Sequence, residues 1–159
     1  MTLPTLAALA LLAPPPAQAP VPVHVDADEV YYQYRDRKVL FVGKPLVKLT
    51  REDAVLTCKR LVAENDDQGQ IEKAVCTGDV RLVRGVRTVT CEKATFEEKL
   101  ARVVCVGNPE LHDGKSVMRG EELVYDLDQD RATLSTAKGT MVPKPGDEPV
   151  HGRKKEAAK

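Results

Sequence analysis

Tryptophan is absent, aromatic residues make up only 4% of the chain, and no charge of either sign is in excess: 24 Lys plus Arg stand against 24 Asp plus Glu in 159 residues. Each shortage excludes something. A neutral chain lacks the clustered surplus of cations that a phosphate backbone demands, so nucleic acid is not its main partner. So few aromatics leave neither a base-stacking platform nor an aromatic cage. Four cysteines are present, yet no C-x-x-C occurs, which removes both the zinc knuckle and the redox dithiol. His24, His112 and His151 form no i, i+4 metal pair. There is no G-x-S-x-G elbow and no phosphate-cradling glycine loop. The carboxylate pairs Asp66-Asp67 and Glu97-Glu98 fall in predicted turns. Nothing converges into a nucleophile, an acid and a base. The sequence reads as a non-enzyme with no cofactor and no metal.

The two ends differ from the middle. Leu6 to Ala13 is wholly apolar and is followed by the small-x-small triplet Ala17-Gln18-Ala19, so residues 1–19 read as a secretory signal peptide. The run is too short for a membrane-spanning helix, and Pro14 to Pro16 would stop one. From Pro143 the chain is rich in Pro, Gly and charge, with little to bury; residues 143–159 read as a disordered basic tail carrying Arg153, Lys154 and Lys155. One domain, 20–142, lies between.

That domain repeats a two-part unit. The outward halves are VDADEVYYQY, LTCKRLVAEN, VTCEKATFEE and MRGEELVYDL. The return halves are KVLFVGKPLVKL, KAVCTGDVRLV, RVVCVGNPEL and ATLSTAKGTMV, each with a glycine (43, 78, 107 and 139). Apolar spacing of two within each half means strand. Turn residues such as Asp66–Gly69, Arg84-Gly85 and Asp113-Gly114 separate the halves, so successive strands run antiparallel. Each half breaks phase near its middle, at a small residue or a glycine, as at a bulge. The expected architecture is therefore all-β: about eight rungs, each bent once, stacked into a folded, V-shaped sheet. Ala27, Phe41, Cys58, Cys76, Cys91, Cys105, Gly120 and Ala137 are expected to line the crease.

In an exported chain, four cysteines on successive rungs suggest two disulfides. Adjacent rungs lie about 4.8 Å apart and next-but-one rungs roughly 9.6 Å, so only adjacent rungs can be bridged. The expected pairing is Cys58–Cys76 with Cys91–Cys105, each stabilising by about 3 kcal/mol. Buried free thiols are the alternative.

A sheet folded on itself has an apolar inner face. Splayed open, that face is a groove in which acyl chains gain about 0.8 kcal/mol per buried methylene, and the first and last rungs are unpaired edges open to strand addition. The units ADEVYYQ and GEELVYD, with returns TGDVRL and VGNPEL, resemble the OstA-like repeat of the periplasmic lipopolysaccharide-transport proteins (LptA/OstA-like), over about Val23 to Val142. The cysteine column is no part of that pattern. The resemblance implies an antiparallel β-jellyroll in the periplasm that carries lipopolysaccharide, held by its lipid A acyl chains, from the inner to the outer membrane. It implies end-to-end homo-oligomers and contacts with jellyroll domains of inner- and outer-membrane transport components. A cleavable leader favours the soluble bridge over the membrane-anchored relative. Carried onto this sequence, the lipid-facing positions are Val30, Tyr32, Phe41, Leu61, Val80, Ala94, Phe96, Val103, Leu111, Leu123 and Tyr125. The competing reading is a structural β-repeat or filament module with a closed core.

Overall fold

Period-two alternation of Val, Leu and Thr with charged residues folds as strand throughout. The computed structural model describes residues 21–144; the expected signal peptide, and the expected tail beyond Lys144, lie outside the described residues. Among the described residues twelve strands form one antiparallel sheet. They are β1 (Val23–Asp26), β2 (Glu29–Gln33), β3 (Lys38–Arg51), β4 (Ala54–Asn65), β5 (Ile71–Arg84), β6 (Arg87–Glu97), β7 (Arg102–Val106), β8 (Glu110–Asp113), β9 (Ser116–Arg119), β10 (Glu122–Asp126), β11 (Arg131–Leu134) and β12 (Lys138–Thr140). Strands β3 to β6 each run through the bend. The other eight join in consecutive pairs, β1–β2, β7–β8, β9–β10 and β11–β12, so the rungs number eight, as expected.

The pairing divides every rung between two arms. In the first arm β1 pairs the end of β3, which pairs the start of β4, and the ladder continues through β5, β6, β8 and β9 to β12. In the second arm β2 pairs the start of β3, and the ladder continues through β4, β5, β6, β7 and β10 to β11. This is the folded sheet of eight bent rungs that the repeat predicts, and the antiparallel β-jellyroll that the family resemblance implies.

The bend lies slightly off the expected column. On the return rungs the register breaks between Val42 and Val47 and between Thr77 and Val80, so Phe41, Cys76 and Cys105 are the last inward residues before the crease rather than the crease itself. The break is made by Gly78-Asp79 and, one repeat later, by Gly107-Asn108, all with φ between 49° and 80°. The reason is steric: left-handed backbone turns the chain sharply, and glycine adopts it without a Cβ penalty. On β3 the interruption holds Pro45, which cannot donate to a ladder and suits a bulge.

Gly107 carries a second constraint, because a Cβ there would sit 2.6 Å from the Cβ of Glu92 on the neighbouring rung. Gly69, in the β4–β5 turn, has the same φ of 80° but open space around it. Gly107→Ala should therefore destabilise by about 2–4 kcal/mol and Gly69→Ala by about 1 kcal/mol, in urea unfolding curves. Equal losses would show that the bend tolerates a side chain.

Candidate functional site

The inner faces of the arms meet along cross-strand rows. In the second arm one row runs Val30, Phe41, Leu61, Cys76, Ala94, Cys105, Leu123 and Leu134; the next runs Tyr32, Val39, Ala63, Ala74, Phe96, Val103, Tyr125 and Ala132. In the first arm the matching row is Val25, Leu49, Leu56, Leu82, Val89, Leu111 and Met118. Strand alternation puts every second residue on one face, so register alone assembles a continuous apolar interior.

Ten of the eleven lipid-facing positions read from the sequence fall in these rows, and the other, Val80, is buried at the crease opposite Cys91. Their surroundings differ along the stack. Leu61, Val80, Ala94, Phe96, Val103, Leu123 and Tyr125 are buried to 2% exposure or less. Phe41 and Leu111 are half-buried. Val30 and Tyr32, on the edge strand β2, are 40% and 60% exposed, because no further rung covers them among the described residues. The expected trough, open along one side, is thus closed over its middle rungs: the arms converge until their side chains interdigitate, leaving an internal void of only about 10 Å³ beside Phe96, Val103 and Leu82. It opens at both ends. Beneath the first rung lies a cavity of about 550 Å³ lined by Val23, Val25, Tyr32, Val39, Phe41 and Ile71. Near the last rung a second, of about 450 Å³, is lined by Leu111, Met118, Met141 and Val142.

Where the arm tips meet, the apolar rows give way to charge. Arg51, Ala54, Arg84 and Arg87 form one cross-strand row at the tip of the first arm. All three arginines reach the tips of the second arm. Arg51 Nε lies 3.4 Å from Glu98 and its terminal nitrogen 3.5 Å from Asp128. Arg84 donates to the Leu127 carbonyl and lies 3.7 Å from Asp130, and it pairs at 3.0 Å with Asp53 of its own arm. Arg87 donates to the Tyr125 hydroxyl at 2.8 Å and pairs with Asp130 at 2.6 Å, while the Tyr125 hydroxyl donates to Asp130 at 2.6 Å. Hydrogen bonds from Arg87 and Tyr125 hold the Asp130 carboxyl below its ordinary range. Burial raises Glu98, against the pull of Arg51. Sequence reasoning missed this row. Its signal was present: Val47-x-Leu49-x-Arg51 and Val80-x-Leu82-x-Arg84 carry the inward phase straight into an arginine.

The cysteines sit beside the crease. Cys58 and Cys76 are joined, with their Cα atoms 5.7 Å apart, so the bond links neighbouring rungs and crosses from one arm to the other. The second expected bridge is not formed: Cys91 and Cys105 are free thiols. Cys91 donates instead to the Lys93 carbonyl at 3.3 Å. Its hydrogen bond with Cys105, together with burial, raises the Cys105 thiol well above its ordinary range. The register is nonetheless that of the bonded pair, for Leu61 faces Cys76 as Ala94 faces Cys105.

With this geometry established, comparison with known proteins places the chain. The model of the LptA/(LptD N-terminal domain) LPS transport protein family matches residues 24–131. The chain belongs to this family. Among solved structures, LptH of Pseudomonas aeruginosa, described as the LptA homologous periplasmic component of the conserved lipopolysaccharide transport device, superposes with a TM-score of 0.67 at 15% identity, over 77% of this chain and 96% of that one. At that identity the likeness is one of fold. No curated protein sequence matches the chain.

Two outcomes follow for this member of the LptA/LptD N-terminal family. Asp130 is held low in the folded state, so the stability it contributes is present above the ordinary aspartate range and is lost as pH falls through its lowered value. Asp130→Asn should lower stability at neutral pH and flatten the acid limb of the stability–pH profile; an unchanged acid limb would show that the Arg87–Tyr125–Asp130 cluster does not act in folding. Non-reducing peptide mapping should recover Cys58 linked to Cys76, and recovery of Cys58 linked to Cys91 would contradict the rung order.

Proposed function

We propose that this chain is a periplasmic bridge component that carries lipopolysaccharide from the inner to the outer membrane, with the acyl chains held between the two arms. The family match across residues 24–131 carries the reading. The fold supports it physically. The interior is apolar from the first rung to the last, it opens into a cavity at each end, and among the described residues both edge rungs have unpaired backbone available for another jellyroll. Second copies and the jellyroll domains of inner- and outer-membrane components are the partners such edges fit.

The interior positions divide by role. Val30, Tyr32 and Phe41 at the first end, and Leu111 near the other, meet acyl chains without rearrangement. Leu61, Val80, Ala94, Phe96, Val103, Leu123 and Tyr125 meet them only when the arms part. Parting exposes apolar surface at about 25 cal/mol per Å², and acyl chains that replace the opposite arm recover that loss. In this reading 1–19 acts as export signal and 20–142 as the transport domain.

A photo-crosslinking residue placed at Phe96 or at Leu123 tests the reading in cells. Adducts containing lipopolysaccharide are expected at both. Adducts with protein alone would favour a filament module whose core never opens.

A further inference from the structure

The arginine row is built unlike an ordinary surface ion-pair cluster. Its three cations occupy one cross-strand row, at the level where the apolar interior meets solvent. Arg51 is the extreme case. Its side chain is 6% exposed, no carboxylate oxygen comes nearer than 3.4 Å, and Nε has no hydrogen-bond partner. A buried guanidinium normally takes a close, bidentate anion. Three carboxylates lie at 3.4–3.7 Å from this one; Asp128 accepts a single long hydrogen bond from it at 3.5 Å, and none holds it in a close, bidentate pair. The void beside Phe96, Val103 and Leu82 also borders Arg51; at about 10 Å³ it holds no chain while the arms are closed, and when they part the apolar surface beneath the guanidinium is the one an acyl chain would cover.

Parting the arms pulls Glu98, Asp128 and Asp130 away from these cations, and leaves Arg84 with Asp53 at 3.0 Å and Arg51 with Glu52 at 3.7 Å, both on the arginines' own arm. A buried charge separated from its partner is costly unless another group replaces that partner. A neutral amphiphile offers no replacement; a phosphorylated one brings several anionic oxygens in the geometry a guanidinium fork matches.

Resting on the transport reading above, we infer that Arg51, Arg84 and Arg87 are an anion-exchange row: they hold Glu98, Asp128 and Asp130 while the mouth is closed, and take the phosphates of an amphiphile when its acyl chains enter between the arms. The row makes the groove selective for phosphorylated over neutral amphiphiles of equal chain length, and gives phosphate a part in opening it.

The test measures binding of the full chain to a phosphorylated glycolipid and to the same glycolipid with its phosphates removed, with inorganic phosphate alone as a third ligand. The unaltered protein should favour the phosphorylated twin by about tenfold or more, the scale of one charge-assisted contact, and Arg51→Gln should abolish that preference. Asp128→Asn removes an exposed competing carboxylate and keeps the proposal testable if Arg51→Gln fails to fold. It should tighten binding of the phosphorylated twin several-fold and leave the dephosphorylated twin unchanged. Equal affinity for the twins, or equal effects of Asp128→Asn on both, would overturn the exchange row and leave the transport reading standing. Binding of neither twin would overturn both. Arginine-dependent binding of inorganic phosphate alone would reassign the row to a free-phosphate site and overturn the proposal.

Discussion

The structure depends on one constraint: a sheet bent across its strands has to bury one face against itself. Every rung brings two short apolar segments, one per arm, and neither is large enough to be stable alone. Leu61, Phe96, Leu123 and Tyr125 are sealed only because Leu49, Leu56, Leu82 and Val89 face them from the other arm. Fold and candidate function therefore draw on the same surface. Burial of this interior holds the protein together, and exposure of it is what an acyl chain requires.

The remaining features control how far the arms separate. At the crease, Gly78-Asp79 and Gly107-Asn108 set the bend, and the Cys58–Cys76 bond ties adjacent rungs across it. A link beside the hinge restrains rung order while leaving the tips free to diverge. At the tips, the arginine row supplies directional contacts that a replacement anion can take over, unlike hydrophobic packing. A covalently restrained hinge and an exchangeable mouth fit an interior that has to open without unfolding.

Much of this was legible in the sequence, for identifiable reasons. Period-two alternation depends only on the pleat, so the strands and the eight rungs followed from spacing, while the ten inward positions of the rows were carried over from the resemblance to the OstA-like repeat. The bend was legible to within two residues: the glycines announce left-handed backbone, but whether the turn falls on Cys76 or on Gly78 depends on which residue loses its cross-strand partner. Closure of the middle rungs was not legible, because the angle between the arms is set by side-chain interdigitation across them, and no local pattern encodes it. The arginine row escaped for a different reason. An arginine at an inward position reads as the end of a strand, and its partners Glu98, Asp128 and Asp130 come from turns 43 to 77 residues away in the sequence. The free state of Cys91 and Cys105 was equally hidden, since register brings two thiols together without oxidising them.

The central claim is that lipid enters by parting the two arms. The most direct measurement is the distance between their tips, read by pulsed electron resonance from spin labels on non-natural residues at Val86 in the first arm and Gln129 in the second, where both native side chains are exposed. Labels of that kind leave the native thiols untouched. On addition of lipopolysaccharide the distribution should shift to longer distances, and the shift should reverse when the lipid is removed. A distribution that stays at the closed distance under saturating, demonstrably bound lipid would contradict the account.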